Sequence, residues 1–268
     1  MRIIINIKAH ARGNAAAYFE EAKKFREKKQ GAKLALSVTE RELAGAKVAF
    51  ENQVQTDKQS KVIRKAKKPW FSSYIHFKTS SGLIVIGGRS AKQNDQVYVK
   101  YLQDGDLFMH ADIRGSPAVI IKEGENASDQ DLKEAAQFTA SFSSAWKRSF
   151  GNVDVYCVPA SQVDKHSTGE YVAKGGFMIR GERKYFRDTP VGLYASVLDG
   201  VFAIFPKCYV KLPRDKVEIV PGGLEKTRTA KTLKYVLERK TGQKLESSEE
   251  EIVQLLPGEC KIVDIANS

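Results

Sequence analysis

Apolar positions along this 268-residue chain follow two different periods, and the change falls near residue 70. From Asn14 to about Asp57 there is no proline, and Ala, Lys, Glu, Gln and Leu dominate, all good helix formers. Tyr18, Phe25, Ala32, Thr39 and Ala46 recur every seven residues, and Ala22, Lys29, Leu36, Leu43 and Phe50 form a second series four residues behind them. Together they make the a and d seam of a coiled coil. Ala, Thr and Lys fill many seam positions, so the helix is expected to pack on a partner or fold back on itself. The basic run "KQSKVIRKAKKPW" (58–70) follows, and Pro69 stops any helix. The expectation is a protruding helical arm from residue 14 to about 66.

Beyond Trp70 the period shortens. "YIHFKT" and "LIVIGG", separated by "SSG", read as a β-hairpin. "AKQNDQVYVKYLQ" (91–103) reads as a short helix ended by Asp104-Gly105, and "DLFMHA" and "PAVIIK" as two strands around a turn. "SDQDLKEAAQFTASFSSAWK" (128–147) predicts one amphipathic helix capped by Ser128, with Asp131 in its first turn. "NVDVYCVP" is a strand. "GFMIRGERKYF" predicts a hairpin turned at Gly181-Glu182, and "GLYASVLDGVFAIF" another turned at Asp199-Gly200. "KVEIVPG", a helix from Lys226 to Arg239 and the shorter "SEEEIVQLL" complete the pattern. Strands joined by tight turns predict an α+β fold, a mostly antiparallel sheet with flanking helices, preceded by the long helical arm. The division expected is 1–68 for arm and linker and 69–268 for the globular domain.

Composition changes the picture mainly through charge. Residues 1–68 hold 17 Lys/Arg against 7 Asp/Glu, a balance of +10, while the rest of the chain carries only +2 of the net +12. That asymmetry points to a polyanionic partner, the plainer alternative being a solvated charged helix. Cys157, Cys208 and Cys260 lie far apart, which argues against a disulfide framework or zinc ribbon and fits a cytoplasmic protein. The longest apolar runs are too short to cross a bilayer, and Lys8 and Arg12 interrupt the opening apolar patch.

Candidate chemistry centres on "GDLFMHADIRGSPAVIIK" (105–122), where His110 and Asp112 stand two apart at a strand end. Alternate strand residues share a face, so the pair could steady a turn, contact a phosphate or ribose, or act as a dyad. No nucleophile accompanies them, no Walker A, GxSxG or HExxH sequence occurs, and His10, His76, His110 and His166 form no spaced ligand set. Neither a metal nor a cofactor is implied, and a binding module is favoured over an enzyme. A hydrolase using His110, Asp112 and His166 and a protein-interaction scaffold using the arm are the competing readings. Gly87-Gly88 has the look of a phosphate turn, but a tight strand-to-helix turn explains it equally.

"LIVIGGRSAKQND", "KYLQDGDLFMHADIRGSPAVIIK", "AAQFTASFSSAWK" and "TGEYVAKGGFMIRGERKYFRD" resemble, in order and spacing, the C-terminal RNA-binding module of the NFACT proteins. "NAAAYFEEAKK" resembles the start of that family's coiled-coil arm, and "VEIVPGG" with "LLPGECKIV" looks most like its archaeal members. The likeness runs from about Asn14 to Val263. It implies an RNA-binding component of ribosome-associated quality control, acting on ribosomal RNA of the large subunit and on tRNA. Members also carry an N-terminal domain linked to tRNA handling in tail synthesis, which this chain lacks. Tail elongation by this chain alone is therefore not expected, and a separate chain carrying that domain is an expected partner. His76, His166 and Glu182 depart from the residue types usual in the family at their positions.

Two RNA-binding surfaces are expected from the charge map. One is the linker, with Lys61, Arg64, Lys65, Lys67 and Lys68. The other is the "MIRGERKYFR" stretch, with Arg180, Arg183, Lys184, Tyr185 and Arg187, joined by His110, Arg114 and Lys165 on nearby segments. Tyr185 and Phe186, interleaved with cations, would stack on unpaired bases or else belong to the core.

Overall fold

The computed structural model describes residues 4–8, 10–60, 69–165 and 174–263, and the chain divides into two compact units, Met1–Lys68 and Pro69–Ser268. In the first unit a single helix, α1, runs from Ala11 to Ser60. The segment before it hydrogen-bonds back onto its opening turns. The Asn6 amide donates to Asn14 Oδ1 (2.8 Å), and the Tyr18 hydroxyl donates to the Ile4 carbonyl (2.6 Å). Tyr18, Phe25, Leu36 and Leu43, four residues of the heptad series, are all exposed.

The second unit is α+β, with antiparallel sheets and flanking helices. Its larger sheet has the order β1 (Ile75–Lys78), β2 (Ile84–Gly87), β4 (Val119–Ile121), β3 (Leu107–Ala111), β5 (Asn152–Pro159) and β8 (Lys184–Pro190). Every neighbouring pair in it is antiparallel. A four-stranded antiparallel sheet has the order β10 (Val201–Pro206), β9 (Leu193–Leu198), β11 (Lys216–Leu224) and β12 (Cys260–Val263). Residues Val163–Asp164 (β6) and Met178–Ile179 (β7) form a short ribbon. The helices are α2 (Ala91–Tyr101), α3 (Asp129–Ser141), α4 (Ser144–Lys147), α5 (Lys226–Thr241) and α6 (Glu249–Leu255).

Strand periodicity sorts the larger sheet's side chains between two cores. Met109, Ala111, Val155 and Cys157 pack with α3, with Trp146 of α4 and with Leu193, Ile204 and Ile219 of the second sheet, so one core joins the two sheets. Phe108, Ile120, Tyr156 and Val158 face the other way and pack with Tyr74 and with Val97 of α2. Gly88 is fixed by close approach to α2: a Cβ there would lie 2.3 Å from Asn94 Oδ1. The double glycine is thus a packing requirement of the strand-to-helix turn. The Asp199-Gly200 turn forms as expected, both residues adopting positive φ (50° and 79°) as a tight hairpin turn demands.

Two expectations are corrected. The helix foreseen over 128–147 is two helices, because Ser143 turns extended (ψ 176°) and caps a new start by accepting from the Ala145 amide. The hairpin foreseen at Gly181-Glu182 does not form. β7 pairs with β6, while β8 adds to the long free edge of β5, which offers it far more ladder than the two residues of β7.

Candidate nucleic-acid interface

The second face of the larger sheet carries a row of rings set by register. His110 on β3 lies directly opposite Tyr156 on β5, and Tyr156 directly opposite Tyr185 on β8. Directly opposed residues share a face at side-chain contact distance, and here ring centroids are 5.7 Å (His110–Tyr156) and 6.0 Å (Tyr156–Tyr185) apart. Phe108, two residues before His110, continues the row at 6.3 Å, and Phe177 meets Phe108 edge-on at 5.2 Å.

Cations cap this strip along its length. Arg183 lies 4.7 Å from the Tyr156 centroid, Arg187 4.0 Å from Tyr185, and Lys165 5.2 Å from Phe177. Such contacts contribute roughly 0.5–1 kcal/mol at exposed sites. Their larger consequence is geometric. Arg183 and Arg187 are exposed, so each guanidinium rests on a ring while staying open to solvent. Arg187 also pairs with Asp154, which lowers the Asp154 carboxyl below its ordinary range; the Asp188 amide bonded to the same carboxylate adds to the effect. Hydrogen bonding to Tyr185 raises Arg183 above its ordinary value, and no ion pair holds Arg183 among the described residues.

The histidine in the row is neutral at ordinary pH. Burial pushes His110 down to about 4, against smaller opposing effects from the Ala111 backbone and the Asp112 charge. It therefore offers a ring face and one N–H rather than a positive charge. Asp112 lies past the end of β3, exposed in the turn, its amide donating to the Asp154 carbonyl (2.7 Å). No hydrogen bond joins it to His110 among the described residues. Burial raises the Tyr156 phenol within the row and the Cys157 thiol behind it to about 12 each, so both stay protonated.

Of the residues singled out from sequence, the strip brings together His110, Lys165, Arg183, Tyr185 and Arg187. Lys184 points away, reaching Asp129 (3.2 Å) and lying over Phe186, which packs against the core that joins the two sheets. Arg180 pairs with Asp164 (2.9 Å), and Lys165 also pairs with Asp95. Arg114 is exposed on the turn after β3. Lys61, Arg64, Lys65, Lys67, Lys68 and His166 lie outside the described residues. Sequence reasoning missed Tyr156, the centre of the row. Its signal was the period-2 alternation of "NVDVYCVP", which puts Tyr156 and Asp154 on the face opposite Val155 and Cys157.

Fold and strip together define an α+β domain whose larger sheet carries, on its second face, a largely buried row of rings with the exposed Arg183 and Arg187 lying over Tyr156 and Tyr185. Residues 73–181 match the family model described as the NFACT protein RNA binding domain, so the chain carries a domain of that family. It is 36% identical over 211 residues to the archaeal Rqc2 homolog aRqcH of Methanocaldococcus jannaschii, a match covering 76% of this chain and 30% of the relative. It is 30% identical over 262 residues to the ribosome quality control complex subunit NEMF of Mus musculus, covering 91% of this chain and 24% of the relative. The chain thus spans less than a third of the length of either. Among solved structures it is similar to the C-terminal part of the fibronectin/fibrinogen-binding protein from Streptococcus suis, with 30% identity, 48% and 50% of the two chains covered, and a TM-score of 0.38.

Proposed function

We propose that the chain is an RNA-binding component of ribosome-associated quality control, which engages large ribosomal subunits and tRNA without catalysing a reaction itself. The observation that carries this is the strip from Phe177 to Tyr185, with Arg183 and Arg187 lying over its tyrosines. Aromatic and guanidinium planes are the surfaces on which unpaired bases stack, and exposed cations supply the phosphate contacts. The name of the murine relative points to ribosome quality control, and residues 73–181 of this chain match an RNA-binding domain model. On this reading His110, Arg183, Tyr185 and Arg187 form the base-stacking face, Lys165, Arg180 and Arg114 border it, and Lys61, Arg64, Lys65, Lys67 and Lys68 add phosphate contacts. The division of labour would follow residues 1–68 and 69–268, and the setting would be the cytoplasm.

Co-sedimentation with purified large subunits, with and without bound peptidyl-tRNA, tests the reading. Retention that falls steeply with salt is expected. Failure to bind either subunits or single-stranded RNA at low salt would refute it.

The exposed heptad residues Tyr18, Phe25, Leu36 and Leu43 favour a second role for the arm. We propose that this seam pairs with a second helix as a coiled coil, which would give the chain a scaffold function beside RNA binding. Salt-insensitive protein binding lost on replacing Phe25 and Leu36 by Ser is the expected sign.

A further inference from the structure

Helix α5 carries a charge excess that the rest of its unit does not share. Residues 226–241 hold six Lys/Arg against one Asp/Glu, a balance of +5, whereas residues 69–268 as a whole balance at +2. The helix buries Thr229, Ala230, Leu233 and Leu237, the last three in the core that joins the two sheets. On the opposite side, at helical spacing, Arg228, Lys231, Tyr235 and Arg239 form a stripe whose four residues are all exposed, Tyr235 at 60%. Arg239 lies over the Tyr235 ring (5.8 Å to the centroid), and its guanidinium donates to the phenol oxygen (3.5 Å). The stripe covers about 16 Å of helix axis.

Helix stability accounts for only one of these cations. Arg239, in the last turn, suits the helix dipole. Arg228 stands in the first turn, where no acidic residue occurs and where positive charge opposes the dipole. Lys231, three residues on, adds a like charge to the same face. No ion pair holds Arg228, Lys231 or Arg239 among the described residues. The acidic residues beside the stripe are two. The Glu238 carboxylate accepts from the Leu245 amide (3.0 Å), and Glu225 precedes the helix without a side-chain cap bond. Lys234 lies on the flank toward α6, where it donates to the Ser247 carbonyl (2.9 Å) within electrostatic reach of Glu250, and is not part of the stripe.

Shape and chemistry select the partner. One ring between cations on a convex helix surface lacks the clustered apolar anchors that centre a protein interface. It also lacks the groove with successive rings that tracks a single strand. Arg, Lys and Tyr are groups that contact phosphate and sugar without reading sequence, and double-stranded RNA presents phosphates and 2′-hydroxyls on a rigid surface.

We propose that the α5 stripe is a second RNA-contacting surface, which meets the backbone of double-stranded RNA through Arg228, Lys231, Tyr235 and Arg239. The inference rests on the RNA-binding reading of the aromatic strip for the class of partner, but the surface is a different one. The strip lies on the face of the larger sheet turned away from the core that α5 joins, and α5 falls outside the matched residues 73–181. A folded RNA would be divided between them, unpaired bases at the strip and duplex phosphates at the stripe.

The test titrates the full chain with a blunt RNA duplex of about sixteen base pairs and with single-stranded RNA of the same length. Arg228→Gln, Lys231→Gln and Arg239→Gln place good helix formers at exposed positions, so the thermal midpoint of the triple variant should hold. That variant should weaken the duplex more than about tenfold and flatten its salt slope by about 2.7, roughly 0.9 per phosphate contact. Single-strand affinity should be unchanged, and Arg183→Ala with Arg187→Ala should show the reverse pattern. Unchanged duplex affinity and slope in the folded triple variant, or equal weakening of both RNAs, would overturn the inference and leave the strip's role standing. Unmodified protein that binds the single strand but no duplex would do the same. Binding of neither RNA would remove the functional reading along with it. Poly-glutamate binding lost in the triple variant, with duplex binding intact, would overturn it in favour of an acidic protein. Should the triple variant unfold, Lys231→Gln alone gives the same reading through a slope change of about 0.9.

Discussion

The guanidinium of Arg183 lies 4.7 Å from the ring centroid of Tyr156, a residue of the strand next to the one that Arg183 precedes. Nothing in the local sequence joins them; the antiparallel register of β5 with β8 does. That register places Arg183 and Arg187 of a basic stretch over the rings of Tyr156 and Tyr185. A base arriving from solvent would meet a cation already held over a ring.

Replacing both Arg183 and Arg187 by Ala should weaken single-stranded RNA binding at all sequences alike, because stacking and phosphate contacts carry little base information. A flattening of the salt slope by about 1.4 is expected on two lost contacts. Lys184→Ala, whose amine is directed at Asp129, should change affinity within about twofold, as exposed ion pairs contribute little. Anisotropy titrations at several salt concentrations decide it. Equal effects of the two variants would remove the face-specific assignment.

His110 makes stability depend on pH in a defined window. Its folded value is lowered to about 4 from an ordinary 6.5, so the unfolded chain takes up its proton first as pH falls. The contribution is complete above pH 6.5 and is lost progressively between 6.5 and 4, on the order of 3 kcal/mol in total. His76, also lowered chiefly by burial, acts in the same direction. His110→Gln should flatten the stability curve across that window in urea titrations at pH 4.5, 5.5 and 7. RNA affinity of the unmodified protein should show no step between pH 6 and 8 from this residue.

How far the sequence revealed this arrangement depends on the range of the interaction. Local signals were legible: the Ser128 cap, the Asp199-Gly200 turn, the strand character of "DLFMHA" and the helix from residue 14 onward all follow from short-range chemistry. The break at Phe142-Ser143 was hidden because its apolar pattern carries on through "SFSSAWK", and only the Ser143 cap reveals the restart. The partner of β8 was not legible at all. A two-residue turn after β7 looked sufficient, and the competing edge of β5 lies more than twenty residues earlier. Tyr185 and Phe186 were seen as a pair, yet period 2 sends one to the strip and the other to the core. Tyr156 was overlooked because an aromatic in a strand gives no sign of which ring it will face.

Gly88→Ala tests the packing reading of the double glycine. The new methyl would need to displace Asn94, whose backbone N lies 2.6 Å from its position and whose side chain accepts from the Ala118 amide (3.1 Å). Overpacking of this kind costs roughly 1–3 kcal/mol. A lower thermal midpoint with RNA affinity retained below that midpoint is expected. Loss of RNA binding without loss of stability would instead restore the phosphate-turn reading.

Asp131 ties the start of α3 to the β1–β2 turn. Its buried carboxylate accepts from the Ser128 amide and hydroxyl on one oxygen and from the Ser81 amide (3.2 Å) and hydroxyl (2.8 Å) on the other. Burial opposes its ionisation, but these hydrogen bonds overcome burial and hold the group well below the ordinary carboxylate range. Its stabilisation is therefore complete above the unfolded value of 3.8 and disappears as pH falls through the folded one. Ser128→Ala removes the cap and should cost about 1 kcal/mol. Asp131→Asn should cost more, about 1–3 kcal/mol, because an amide nitrogen then faces donors in a buried site. Urea unfolding at pH 7 ranks the two, and the same titration from pH 4 to 2 should show a shallower loss for Asp131→Asn than for unmodified protein. Equal costs at pH 7 would mean that the link to Ser81 contributes nothing beyond the cap.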